Sequence, residues 1–244
     1  MTNNTTSAIQ AVGLKKTFGD YAAVEEVSFL VPYGRVVGLL GPNGAGKTTT
    51  MRMLLGLAKP TAGTAFIQGR QYSDLNHPAR SIGTVLDGGG MHPSRSARQH
   101  LRIAAAMSGI DRARVDQVLA EAGMAAAANR PIRGYSLGMR QRLALATALL
   151  GEPKILVLDE PANGLDPDGI RWLRNKLRAF AFEGGAVLVS SHLLAEIEQV
   201  ADDAVVIAHG RVLAAGSLTD LTADYNGNLE SFYLDLTANT TEVR

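Results

Sequence analysis

The chain has no cysteine. Disulfides and thiol catalysis are therefore excluded, and the composition fits a cytoplasmic setting. A dominant charge is also missing: 24 Lys and Arg stand against 23 Asp and Glu, a formal net charge of +1. No global field favours nucleic acid, so no nucleic-acid partner is expected. No apolar run approaches the roughly 20 residues that cross a bilayer. The first eight residues, M-T-N-N-T-T-S-A, carry no basic-then-apolar targeting pattern and read as a flexible tail, as do residues 238–244. His77, His92, His100 and His209 show no metal-ligand spacing.

What is present is a globular composition, 46% hydrophobic and 19% charged over 244 residues, enough to bury a large core. Residues 9–37 alternate like strands, and A-V-E-E-V-S-F-L-V ends at the turn signal Pro32-Tyr33-Gly34. V-V-G-L-L, residues 36–40, is an apolar run of the buried parallel-strand type. A glycine-rich loop follows, then a helix from about Lys47 to Leu57, then a strand over residues 64–68. Residues 95–150 are rich in Ala, Leu, Arg and Gln with apolar spacing near 3.6, which predicts several helices. From residue 155 the pattern alternates strand, helix, strand, helix, strand, and D-A-V-V-I-A closes the series. Such alternation predicts an α/β fold with a mostly parallel sheet. L-E-S-F-Y-L-D-L-T, residues 229–237, reads as a short amphipathic helix.

G-P-N-G-A-G-K-T-T spans Gly41, Pro42, Asn43, Gly44, Ala45, Gly46, Lys47, Thr48 and Thr49. It fits G-x-x-x-x-G-K-[ST] in full, between an apolar strand and a helix. Glycines let backbone N–H groups curl round a phosphate, and the helix start adds its positive dipole end. Lys47 reaches for the β- and γ-phosphates, the Thr48 hydroxyl suits Mg²⁺, and Thr49 is placed to touch the α-phosphate. K-I-L-V-L-D-E, residues 154–160, is a hydrophobic strand ending in two acids, where ligands of an open parallel sheet bind. Asp159 is a metal-holding candidate; Glu160, one residue on, can orient or deprotonate an attacking water. His192 follows A-V-L-V-S-S at another strand end and could contact a γ-phosphate. In Y-S-L-G-M-R-Q-R, residues 135–142, Ser136 and Gly138 open a helix beside several arginines, which suggests an anion, though a serine there also serves as a plain cap.

In this order the residues resemble the ATP-binding cassette of ABC transporters. The likeness runs from about residue 9 to 237 and rests on Phe18, the loop 41–49, the segment near Asp87, Y-S-L-G-M-R-Q, V-L-D-E, and N-G-L-D followed by His192. The resemblance implies one cassette domain over residues 9–237: a P-loop NTPase core, an N-terminal antiparallel β subdomain and a helical subdomain inserted at about 91–150. It implies ATP and Mg²⁺ as cofactors and ATP hydrolysis as the activity. It further implies that Ser136 and Gly138 cap the γ-phosphate of ATP held by a second cassette. Phe18 would stack on adenine, with Tyr21 as the competing aromatic, and Asp166 would communicate across the dimer. Asp87 stands where the family usually has glutamine, a Mg²⁺ and coupling contact, which makes it a metal or coupling candidate, although aspartate is shorter and charged. Leu137 and Met139 replace a glycine and the glutamine of the usual L-S-G-G-Q, a form similar to the drug- and antibiotic-export branch. The implied partners are an integral membrane permease and a second cassette, at the cytoplasmic face of the cell membrane. A soluble ATPase of the same family, acting on ribosomes or nucleic acid, is the alternative; it would be expected to carry tandem cassettes, a coiled coil or a basic extension.

Overall fold

The computed structural model describes residues 7–86 and 90–241, and the chain packs as two compact units, Met1–Leu75 with Leu177–Arg244, and Asn76–Lys176. The first unit opens with β1 (Ser7–Phe18), β2 (Tyr21–Pro32), β3 (Val36–Leu40), α1 (Lys47–Leu54) and β4 (Ala62–Ile67). The second carries α2 (Pro78–Ser81), β5 (Ile82–Val85), α3 (Ala97–Met107), α4 (Arg114–Glu121), α5 (Leu137–Leu149), β6 (Ile155–Leu158) and most of α6 (Pro167–Phe182). The chain returns to the first unit with β7 (Ala186–Ser191), α7 (Leu194–Val200), β8 (Asp203–Ala208), β9 (Arg211–Ser217), α8 (Leu218–Leu221) and α9 (Leu229–Thr241).

In the first unit the strands run in the order β4-β1-β2-β9-β8-β3-β7. β3 pairs in parallel with both β7 and β8, and every residue of β3 and β7 is buried. Covering both faces of a strand removes the polar alternation, which is why these runs read as continuous apolar sequence. α7 lies close on β3: a Cβ on Gly38 would stand 2.5 Å from Ile197 Cγ2. β1 pairs antiparallel with β2 and β4, so the antiparallel part of the sheet is N-terminal.

In the second unit β5 and β6 pair in parallel, and α3, α4 and α5 enclose a core that includes Leu101, Val118, Leu119, Met124 and Leu143. α3 starts with a reciprocal capping box: the Ser96 hydroxyl accepts from Gln99 N at 3.2 Å, and Gln99 Oε1 accepts from Ser96 N at 2.9 Å. Tyr135 lies in this core with its hydroxyl donating to Ala127 O at 2.6 Å, so its polar tip is satisfied. His100, on α3, is held below the usual histidine range, first by burial and then by Arg95.

The structure departs from the sequence reading at several boundaries. β1 begins at Ser7 and α9 runs on to Thr241, so Ser7, Ala8 and residues 238–241 of the expected tails belong to a strand and a helix; β4 spans Ala62–Ile67 in place of 64–68, and residues 1–6 and 242–244 lie outside the described residues. α1 stops at Leu54, short of Leu57, because Gly56 turns left-handed (φ 67°) and the N–H groups of Leu57 and Ala58 both fold back to Arg52 O. β5 and β9 were not expected. β5 is four residues long with an internal glycine, and β9, R-V-L-A-A-G-S, is rich in residues with little strand preference.

Leu143 is fully buried in the second unit's core. Leu143→Ala is expected to lower stability by about 2–5 kcal/mol, the range for buried leucine truncation. Urea unfolding followed by circular dichroism measures it.

Candidate functional site

In the first unit the loop from Gly41 to Gly46 joins the carboxyl end of β3 to the first turn of α1. Its shape is moulded by backbone. A Cβ on Gly41 would stand 2.1 Å from Ile207 O, and one on Gly46, at φ 101°, would stand 2.7 Å from Ala23 O. No side chain fits at either point, so only glycine lets the chain turn there. Pro42, Asn43 and Gly44 are exposed at the loop's crest. Lys47 is buried, and its Nζ donates to Gly41 O at 2.6 Å and Pro42 O at 3.2 Å. Thr48 and Thr49 are half-buried on the opening turn of α1. Curled N–H groups, a helix start and a fixed ammonium together make an anion cradle.

Leu40, the last residue of β3, pairs with Ser191, the last residue of β7. The chain therefore enters the cradle and reaches His192 from adjacent strand ends. His192 is exposed there, while Ser191 Oγ accepts from Leu193 N at 3.0 Å and donates to Glu196 Oε2 at 2.9 Å, fixing the turn.

Phe18 and Tyr21 pair across the β1–β2 turn, and both are more than half exposed. Lys16 Nζ sits 4.8 Å over the Phe18 ring and is tied by a 2.9 Å bond to Lys59 O. A cavity of about 200 Å³ opens beside the cradle, lined by Tyr21, Glu25, Asn43, Gly44 and His209 among others; Phe18 is not in its lining. His209, which shows no metal-ligand spacing in the sequence, is thus a lining residue. The signal in the sequence was the dipeptide His-Gly after a buried strand, a two-residue hairpin turn.

In the second unit Asp159 and Glu160 follow β6 directly, both half-buried. Asp159 N donates to Val85 O at 2.8 Å, extending the β5–β6 ladder by one step. Glu160 then turns left-handed at φ 48°, a conformation that L side chains rarely adopt. It costs about 1 kcal/mol or more and is found at sites where side-chain aim matters. Asp87 lies outside the described residues.

Ser136 is the N-cap of α5, its hydroxyl accepting from Met139 N at 3.2 Å. The capping role is therefore real. The Arg142 guanidinium stacks 4.4 Å over Trp172 and donates to Ala122 O at 3.2 Å. Arg140 is exposed. Asp166 caps α6, with Oδ1 accepting from Gly169 N at 2.7 Å. Two glycines differ in a telling way. Gly164 is required by the chain's own packing, at φ 75° with a Cβ position 1.9 Å from Leu137 Cδ2. Gly138 is not: a Cβ there would meet nothing nearer than Leu165 Cδ2 at 3.5 Å.

The ABC transporter family profile matches residues 24–163. This chain belongs to the ABC transporter family. It is an ATPase cassette with the α/β P-loop fold. The lantibiotic transport ATP-binding protein of Streptococcus pyogenes is 36% identical over 222 residues, 90% of this chain and 93% of that one. The bacitracin transport ATP-binding protein of Bacillus licheniformis is 40% identical over 208 residues, 84% of this chain and 68% of that one. A solved ATP binding subunit of an ABC transporter superposes with TM-score 0.85 at 29% identity, covering 95% of this cassette and 100% of that chain.

The two glycines of this cassette are expected to respond in opposite ways to a methyl group. Gly138→Ala should leave folding stability unchanged or raise it by up to about 1 kcal/mol, the helix preference of alanine. Gly164→Ala should lower it by about 1–2 kcal/mol through left-handed strain and overlap with Leu137. Paired thermal unfolding curves give both values.

Proposed function

We propose that this cassette powers export of an antibiotic-like peptide through a separate membrane permease, by binding and hydrolysing ATP between two copies of itself. The observation that carries the shared-site reading is Gly138. Glycine is a weaker helix former than alanine, by up to about 1 kcal/mol in a helix interior and by less in the first turn, where Gly138 lies. Nothing in the chain's own packing requires it. It leaves bare backbone beside the exposed Ser136, at a helix start, open to the close approach of an anion. In this reading that anion is the γ-phosphate held by the other copy. The cassette's own Gly41–Thr49 cradle holds its own nucleotide, with Lys47 set between the β- and γ-phosphates. Phe18 offers its ring to adenine, its opposite face occupied by Lys16. Glu160 aligns and deprotonates the attacking water, His192 contacts the γ-phosphate, and Asp166 links the two sites.

The donors also suit magnesium. Thr48 and Asp159 are hard oxygen ligands. Among the described residues no group of three His, Cys, Asp or Glu could hold a metal ion. A magnesium ion held by such donors would supply positive charge to the phosphates. Asp87 would serve as a further metal or coupling contact.

Export of an antibiotic-like peptide is supported by the lantibiotic and bacitracin transport names of the relatives and by the S-L-G-M-R-Q form of the signature. Among the described residues no helix is long and apolar enough to cross a membrane, so in this reading the pathway belongs to the permease and the cassette docks at its cytoplasmic face.

Lys47→Ala should weaken ATP binding by on the order of tenfold or more, the scale of a charge-assisted hydrogen bond, and abolish turnover. Glu160→Gln keeps the shape of the site without the base, so ATP and Mg²⁺ should hold a stable dimer. Adding Gly138→Asp to that background places a carboxylate where the γ-phosphate docks. Light scattering, with the permease present if the isolated chain stays monomeric, should then find monomers that still retain nucleotide. A double variant that dimerises as well as Glu160→Gln alone would reduce the signature to a helix cap.

A further inference from the structure

The β8–β9 hairpin closes on a two-residue turn, His209-Gly210, with φ 48° and 72°. Two positive φ values match the turn that suits hairpin twist. In a hairpin standing alone, the N–H and C=O of the second turn residue face solvent. Here both are used. Gly210 N donates to Ala45 O at 3.2 Å, inside the phosphate loop. Gly210 O accepts from Glu25 N at 2.8 Å and Glu26 N at 3.2 Å, on β2. One glycine thus ties three segments that are far apart in sequence.

The contact leaves no slack. A Cβ on Gly210 would stand 2.9 Å from Glu25 N, 3.0 Å from Val24 Cα and 3.2 Å from Ala23 O. These are backbone atoms, which cannot swing aside. Ala23 O is also the atom against which Gly46 is seated, and Ile207 O, near the end of β8, is the one beneath Gly41. The hairpin and β2 therefore form a mould around the loop. Outside it, Arg211 fastens the hairpin to β2 with a 2.7 Å bond from Nε to Glu25 Oε2.

We propose that Gly210 is a positioning residue for nucleotide binding: the β8–β9 turn holds Ala45 and Gly46 in the shape that receives phosphate, and so sets affinity for ATP. This rests on the reading that residues 41–49 hold the nucleotide. Preorganised donors need no rearrangement when the ligand arrives, and small misplacement is costly. Gly210 touches no substrate and acts through Ala45, Ala23 and Gly46.

The test is titration of the full chain with a fluorescent ATP analogue, each variant at a temperature where circular dichroism shows it folded. Gly210→Ala should raise Kd by at least about tenfold as its methyl group pushes the turn off β2 and breaks the bond to Ala45. Gly227→Ala is the control: it sits at φ 79° with no atom within 4 Å of its Cβ position, so it adds left-handed strain without a clash. It should lose thermal stability yet bind as wild type. Arg211→Gln adds nothing to the mould and removes only its fastening; a Kd about two- to threefold higher is expected, the scale of an exposed ion pair. Glu25→Arg combined with Arg211→Glu should restore it. A folded Gly210→Ala chain with wild-type Kd overturns the proposal. If that variant does not fold, wild-type Kd in Arg211→Gln overturns it. Failure of the underlying reading looks different: the wild-type chain itself would not bind, or Lys47→Ala would bind as well as it does.

Discussion

The buried ammonium of Lys47 is the constraint around which the first unit is built. A lysine head group taken out of water is expensive unless its charge is met. Here the carbonyls of Gly41 and Pro42 meet it, and both belong to the loop that the lysine itself terminates. The loop can offer those carbonyls only by turning tightly. That turn requires bare backbone at Gly41 and Gly46, because the carbonyls of Ile207 and Ala23 already occupy the side-chain space. Those two carbonyls come from β8 and β2, which the parallel ladders of β3 and the hairpin of β9 hold in register. The charge, the loop and the strand order are one arrangement, and the carboxyl edge of a parallel sheet is where it can form.

This explains why the cradle was legible in the sequence and its mould was not. A phosphate loop announces itself locally, as an apolar strand, a glycine pattern and a helix start in immediate succession. Val36–Leu40 and Ile155–Leu158 were equally plain, since strands covered on both faces are unbroken apolar runs. The supporting contacts are backbone to backbone and long in sequence separation. Glu25 to Gly210 and Ala45 to Gly210 leave no residue-type signature beyond one glycine. β9 was missed for a related reason. Its Ala and Gly residues are placed by pairing with β8, while their own strand preference is weak. The partners of the arginines after Ser136 were not legible either: Arg142 meets Trp172 and the Ala122 carbonyl, on other elements that no local pattern reveals.

The second unit separates residues that serve the fold from residues that the fold merely tolerates. Ser136 and Asp166 each cap a helix, and a serine, threonine, asparagine or aspartate would do so at either position. Their capping roles account for a small polar side chain and for nothing more specific. Gly164 is fully accounted for by the leucine packed against it. Glu160 and Gly138 run against local preference, the first through a left-handed backbone and the second through a helix-weakening side chain. Where a chain carries such local costs with no return in its own packing, the compensation lies in what it binds.

Those two costs are also joined by short contacts. Glu160 and Gly138 belong to the same compact unit, which also carries Gly164 and Asp166. Leu137, next to Gly138, packs on Gly164, and Asp166 begins α6 two residues later. Asn163, beside Gly164, donates its N–H to the Glu160 carbonyl at 3.2 Å. Ser136 and Gly138 are thus linked to the left-handed turn at Glu160 by one side-chain contact and one backbone bond.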